Sequence, residues 1–299
     1  MDAHALLRRS ELALDLEGCN LVDEWHSRTA QFIRFRLDSQ NLDAVTRHET
    51  HLPREKLQNL FCLSQQVSRS LIEVDGPTRC PAALAIDVEA KLIISEFAHG
   101  TSMSRQLQDA IEQRDVATAN GLATRAGRAL AAFHSTATGP HDRFSRGVSR
   151  NGHAKNPGRL SEWPTVFLFG DFAPYNILVD GETLHLLDLP NERRTGPASH
   201  DLATFIFHLR RTIARTAARD TQRDAAIRSA IHQFLTGYRD ELGGLPHSNG
   251  QVARVEAARA FRMARKRVTM RRYLSATTYL RWALVRALGG HPRVGTHRL

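Results

Sequence analysis

Apolar and polar side chains alternate along Gln31–Leu37 (QFIRFRL), the period-two pattern of a half-buried strand. It closes a stretch, residues 13–37, of short apolar runs broken by turn punctuation. Over Arg54–Val67 (REKLQNLFCLSQQV) the period changes. Leu57, Leu60, Phe61 and Leu63 recur at near-helical spacing, and Pro53 suits a first helical turn. Within Cys80–Gly100 two apolar runs flank the polar tip Glu89-Ala90-Lys91, which predicts a hairpin. Strands, helix and hairpin make a small α+β unit ending near Phe97, and Ser102 or Ser104 is placed to cap the helix that follows.

Beyond that point helical periods dominate. Leu122, Ala126, Leu130 and Phe133 line one face of Gly121–Ala137. Ser145–Gly158 is polar and contains glycine, the composition of an exposed loop. Thr165–Phe169 (TVFLF) reads as a short buried strand, and NILVD and TLHLLDL form a hairpin about the turn Asp180-Gly181. From Ser199 onward the pattern is helical almost to the end. The fold class is α+β, with a β-rich first third and a mainly helical remainder carrying one central hairpin.

Composition narrows the function classes. The 299 residues are enough for two modest domains, and 41% are hydrophobic, which is ordinary for a chain that buries a core. No apolar run approaches the roughly 18 residues of a membrane span. The first residues, MDAHALLRRSELALDLEG, are charged throughout and lack the apolar stretch of a signal peptide. Cys19, Cys62 and Cys80 fit neither a disulfide framework nor a zinc site, so a reduced, cytoplasmic protein is expected. The formal net charge is +10 and is concentrated at one end. Gln251–Leu299 holds eleven Arg and one Lys against the single acid Glu256, so the rest of the chain nets about −1. Such a segment attracts an anionic partner or faces acidic groups of its own protein.

Candidate chemistry gathers in GDFAPYNILVDGETLHLLDL, Gly170–Leu189. Asp171 follows a strand and opens an irregular segment, Asn176 begins the next strand, and Asp188 closes the hairpin. An acid that orients a hydroxyl, followed by two hard oxygen ligands for Mg²⁺, is the order found in kinase machinery. Singly, each residue is more readily a turn or strand-end residue.

As an ordered set, Gly170-Asp171, Asn176, Leu187-Asp188-Leu189, Gly196 and Asp201-Leu202-Ala203 resemble the aminoglycoside phosphotransferase family, relatives of the protein kinases. LIISEFAHGTSM resembles that family's strand and hinge, GRALAAFHS its helix ending in Leu-x-x-x-His (Leu130 and His134), and FLTGYRDEL a late helix. The resemblance covers roughly residues 25–245. It implies a protein-kinase-like two-lobed fold, with a small β-rich N-lobe at 1–98 and a larger, mainly helical C-lobe at 99–299. It implies use of ATP and Mg²⁺ to phosphorylate a hydroxyl of a small molecule, with a sugar-type or glycolipid acceptor as the first expectation. Position by position, Asp171 is the expected base, Asn176 and Asp188 the expected Mg²⁺ ligands, and Asp201 a brace for the catalytic loop. Glu96-Phe97-Ala98 is the hinge, with Glu96 and Ala98 supplying backbone groups to adenine.

The sequence departs from the family pattern at three points. Phe169 stands where the family usually has His, so the loop must be held some other way. No lysine lies in the strand expected to reach the nucleotide phosphates; Arg36, on the same face as Arg34, is the candidate, with Glu55 as its partner and Glu49 as the alternative. No glycine-rich phosphate loop precedes Gly76 apart from the lone Gly18. These departures keep open a kinase-like pseudoenzyme that binds nucleotide or a partner without chemistry.

Near the C-terminus, Tyr273, Leu280, Leu284 and Leu288 share a helical face, with Arg272, Arg281 and Arg286 elsewhere and Trp282 as an amphipathic ring. Two readings are open. The segment 251–299 lies on an anionic membrane surface, making the protein membrane-peripheral, or it docks on the C-lobe with a solvated basic face. No motif for nucleic-acid binding accompanies the charge.

Overall fold

The computed structural model describes residues 19–26, 30–37, 42–49, 51–136, 165–190, 192, 194–214, 221–242, 250–270 and 273–288; the expected loop at Ser145–Gly158 lies outside them. The described residues divide into two compact units. One lies within Met1–Gly100 plus Leu178–Arg193, the other within Thr101–Ile177 plus Arg194–Leu299. Residues 178–193, expected in the helical part, group with the first unit, to which they are joined by backbone pairing and by ion pairs. There β10 (Thr183–Leu186) runs parallel to β4 (Thr78–Arg79), with Leu184 opposite Thr78 and His185 opposite Arg79.

The first unit is built on a five-stranded sheet ordered β1-β2-β3-β6-β5, its neighbouring strands antiparallel. The strands are β1 (Cys19–His26), β2 (Ala30–Leu37), β3 (Leu42–Glu49), β5 (Ala83–Asp87) and β6 (Leu92–Glu96). Ile33 and Phe35 of β2 join Ala44, Leu92 and Ile94 in a fully buried cluster, so the alternation read from the sequence selects one face of the sheet. Helix α1 (Arg54–Glu73) buries Leu57, Leu60, Leu63, Val67 and Leu71, the stripe of an amphipathic helix. Pro53 sits at its N-cap in an extended conformation, one position before the first turn. Lys91, at the predicted hairpin tip, turns the chain with φ 53°.

The second unit is mainly helical. It contains β7 (Thr101–Ser102), α2 (Met103–Glu112), α3 (Val116–Thr136), β8 (Thr165–Phe167) and β11 (Thr195–Pro197), with β8 and β11 antiparallel. Its later helices are α4 (Ser199–Ala214), α5 (Thr221–Glu241), α6 (Gly250–Thr269) and α7 (Tyr273–Ala287). Ser102 occupies the N-cap of α2 without donating or accepting a side-chain capping bond. The remaining strand, β9 (Ile177–Asp180), precedes the Asp180-Gly181 turn, where Gly181 has φ 53°.

The packing of α3 on α5 is decided by two glycines. A Cβ on Gly127 would lie 2.1 Å from the Phe234 carbonyl oxygen, and one on Gly237 would lie 2.4 Å from that of Thr124. The two backbones approach closely enough that only glycine fits. That approach lets a side chain near the end of α3, His134, meet Tyr238 of α5. Around them Phe133, Phe169, Phe172, Phe205 and Phe234 form a continuous aromatic core; the Phe205 and Phe234 rings lie 4.1 Å apart.

Helix α7 docks by the face that carries Tyr279 and Trp282, which stack on Phe207 of α4. The indole nitrogen of Trp282 donates to Glu256 Oε1 at 2.9 Å. Arg286 and Arg210 bracket the same carboxylate, at 2.7 and 3.2 Å. Glu256, the only acid of the basic segment, is therefore buried among cationic and aromatic side chains of its own protein. Burial lowers the Arg210 pKa from its ordinary value, and the Glu256 charge opposes that shift. Leu280 and Leu284 on the outer side of α7, and Leu288 just past its end, are exposed.

Candidate active site

The segment Gly170–Asn176 is irregular backbone between β8 and β9, closed by a 3-10 turn at Pro174–Asn176. Its entry is fixed by Asp201, in the first turn of α4 and fully buried. Asp201 Oδ2 accepts from the Phe169 amide at 2.7 Å, and Oδ1 accepts from the Gly170 amide at 2.8 Å. The aspartate itself is held from behind. His134 Nε2 lies 3.1 Å from Asp201 Oδ2, and His134 Nδ1 lies 2.8 Å from the Tyr238 hydroxyl. A carboxylate only accepts, so Nε2 donates to it; in the neutral ring Nδ1 then accepts from Tyr238. Burial, with the Asp201 charge second, raises the Tyr238 pKa far above its ordinary value, which keeps the hydroxyl protonated. The loop thus needs no histidine at 169. Phe169 packs edge-on against Phe133 and Phe172, and its backbone carries the polar contact.

Asp171 projects from this anchored entry and is about half exposed (side chain 49%). Its Oδ2 accepts from the Tyr175 hydroxyl at 2.9 Å, and its Oδ1 lies 3.8 Å from His208 Nε2. Burial first, then the Asp171 charge and hydrogen bond, push the Tyr175 phenol well above its usual range. Asn176 donates through Nδ2 to the Asp171 carbonyl at 2.9 Å. That bond orients the amide and leaves Oδ1, a hard neutral oxygen, for a ligand.

In the first unit Asp188 adopts φ 60°, left-handed backbone that a non-glycine residue enters at a cost. Its Oδ1 accepts from Arg47 Nη1 at 2.9 Å. The same guanidinium donates through Nε to Glu49, which is buried. Arg47 thus bridges an exposed carboxylate and a buried one, and it also lies over the ring of Phe32.

Arg36 takes a different place. Its strand partner is Asp43, whereas Arg47 pairs with Phe32, so the two arginines share a face of the sheet but stand four residues apart along β2. That is about 13 Å of strand. Arg36 is exposed beside Asp43. Burial pushes the Asp43 carboxyl up, but its bond to Arg34 and the charges of Arg34, Arg36 and His99 outweigh this and hold it below the usual range. Glu55 is exposed in the first turn of α1, where an acid suits the helix dipole, and Arg47 pairs with Glu49, the alternative partner. Glu96 ends β6 with its amide on the Ala82 carbonyl and its carboxylate on the Ala82 amide. Phe97 donates its amide to Asp43, and Ala98 follows, half-buried.

Arg47 escaped the sequence reading because β3 itself did. The available signal was a cation two residues after Val45 in a strand-length stretch leading to α1. For a divalent cation, the oxygens of Asn176 and Asp188 are of the hard type that Mg²⁺ takes, with phosphate oxygens and water completing its shell. Among the described residues no three His, Cys, Asp or Glu side chains form a cluster that could hold a metal.

No protein-family model and no curated protein matches the sequence. Solved structures do match. An amicoumacin kinase, hAmiN, in complex with AMP-PNP, Ca²⁺ and Ami aligns with 99% of this chain and 95% of its own at 10% identity and a TM-score of 0.56. The gentamicin complex of APH(2")-IIa aligns over 98% of each chain at 11% identity and a TM-score of 0.52. A thermostable mutant of the aminoglycoside phosphotransferase APH(4)-Ia, with ADP and hygromycin B, aligns with 97% of this chain and 99% of its own at 12% identity and 0.51. The fold is the kinase-like fold of the aminoglycoside phosphotransferases.

Proposed function

We propose that this protein is an ATP- and Mg²⁺-dependent phosphotransferase that moves the γ-phosphoryl group to a hydroxyl of a small, sugar-type molecule. The observation that carries the reading is the loop Gly170–Asn176. A buried carboxylate, Asp201, anchors its two entry amides, and beyond the anchor Asp171 and the Oδ1 of Asn176 stand ready for ligands. The fold shared with small-molecule kinases supports it.

In this reading Asp171 accepts the acceptor's hydroxyl proton and orients the oxygen. Phosphoryl transfer needs mainly positioning and charge neutralisation, so a fixed carboxylate suffices. The Tyr175 hydroxyl donates to Asp171 Oδ2, leaving Oδ1 for the acceptor's proton. Asn176 and Asp188 are the magnesium ligands, and the bound ion would neutralise phosphate charge. Arg47 takes the lysine's part towards the nucleotide phosphates, and Glu96 and Ala98 offer backbone groups to adenine.

The test is ADP release with ATP and Mg²⁺ over a panel of hydroxylated small molecules. Asp171→Asn should lower turnover on the order of 10²- to 10⁴-fold, the usual contribution of a positioned base. Equal turnover in both proteins would remove Asp171 from the role. Thermal unfolding with ATP should show stabilisation that depends on Mg²⁺.

A further inference from the structure

Arginine and histidine side chains gather near the Asp171 loop within the second unit. Arg259 of α6 donates through Nη2 to the Gly170 carbonyl at 2.8 Å, next to the proposed base. His208 of α4 faces Asp171 and meets the Tyr175 ring edge-on at 5.0 Å. Arg211 stands one turn further along α4 and shares that face. Its charge and that of Arg259 both act on the Tyr175 hydroxyl. Arg262, one turn beyond Arg259 on α6, adds a third positive charge.

The carboxylates acting on Arg259 are Asp171, the proposed base, and Asp201, already committed to two backbone amides. The Nε atoms of Arg211 and Arg259 are buried and have no hydrogen-bond partner among the described residues. A buried guanidinium nitrogen without an acceptor is costly, and an arriving oxyanion would satisfy it.

We infer that the acceptor carries an oxyanion, a carboxylate or a phosphate, in addition to the hydroxyl that reacts, and that Arg211 and Arg259 bind it beside Asp171. The inference rests on the phosphotransferase reading above and deepens it: the substrate class is an acidic alcohol. The five donors of each guanidinium allow Arg259 to keep its loop carbonyl while sharing the ligand. An acceptor bearing an ammonium group would meet like charge at the same place.

The experiment compares matched sugars that differ in one substituent: glucose, glucosamine, glucuronate and glucose-6-phosphate. ADP release is measured for the wild type, Arg211→Gln and Arg211→Lys, and calorimetry measures binding of glucuronate and of inorganic phosphate. We expect glucuronate or glucose-6-phosphate to exceed glucose in kcat/KM and glucosamine to fall below it; which of the two leads tells carboxylate from phosphate. Arg211→Gln should erase about 10- to 100-fold of that preference, mainly through KM, the scale of a lost charged hydrogen bond, and Arg211→Lys should restore part of it. Turnover that ignores the substituent, favours glucosamine, or is unchanged in Arg211→Gln would overturn the inference and leave phosphotransfer standing. Absence of turnover with every sugar, alongside anion binding that Arg211→Gln abolishes, would sink the phosphotransferase reading and keep the anion site. Absence of both turnover and anion binding would end both.

Discussion

Two carboxylate centres, one in each unit, are built in opposite ways. In the second unit Asp201 is completely buried, bonded to two backbone amides and backed by His134 and Tyr238. In the first unit Asp188 is half exposed, sits in left-handed backbone and is held by one arginine, which is shared with Glu49. The first arrangement fixes a loop. The second leaves a carboxylate oxygen open to solvent and to an incoming ligand. Buried, fully satisfied networks rigidify, whereas exposed ion pairs contribute little to stability. The contrast separates a buried, fully paired carboxylate from an exposed one held by a single ion pair.

The sharpest way to break that contrast is Asp201→Ala. It strands the Phe169 and Gly170 amides and removes the His134 acceptor inside the core, so it should cost about 3–5 kcal/mol of stability. Chemical denaturation measures this. A loss below about 1 kcal/mol would mean that the loop finds other acceptors and that Asp201 is not its anchor.

Arg47→Ala should come next. It frees an exposed Asp188 at little cost but leaves Glu49 buried without its cation, for a loss of about 1–2 kcal/mol. Its larger effect should be on ATP·Mg²⁺, whose stabilising shift should shrink strongly. Arg47→Lys keeps the charge but cannot span two carboxylates with one planar group, so it should retain most of the stability and only part of the nucleotide shift. If Arg47→Ala destabilises the fold as much as Asp201→Ala and leaves nucleotide binding intact, the two centres are alike and Arg47 is structural.

What the sequence disclosed follows the same division. Strand β2 and helix α1 were legible because their inward positions, Ile33, Phe35, Leu57, Leu60 and Leu63, are large and apolar against polar neighbours. Strand β3 was not, because its inward positions in mid-strand are Ala44 and Thr46, too small or polar to mark a period, so Arg47 went unseen. Arg36 and Arg47 share a face of the sheet on neighbouring strands, four residues apart along β2. Asp171, Asn176 and Asp188 were visible only as an ordered set, since each alone is a common turn residue. The His134–Asp201 contact joins residues 67 apart, which no local pattern encodes. Trp282 reads as amphipathic in the sequence, yet Glu256 supplies its buried partner.

The smallest expected effect concerns pH, and it sharpens the comparison because both units share it. Burial lowers the pKa of His48 and His185 in the first unit and of His200 in the second from the ordinary 6.5. For a group depressed on folding, the unfolded chain takes up protons that the folded chain refuses. Stability from these three is therefore fully present above about pH 6.5 and is lost as the pH falls through the folded values. The carboxylates of Asp43 and Asp115, held below 3.8 by their partners, act in a lower window and lose their contribution only as the pH falls below that value. The melting temperature should thus decline in two stages on acidification. His200→Gln and His185→Gln should each flatten the first stage without touching the second. A first stage that survives in the double variant and disappears when His48→Gln is added would assign it to His48, beside Glu49 and the Arg47 bridge, and would place the pH sensitivity in the first unit.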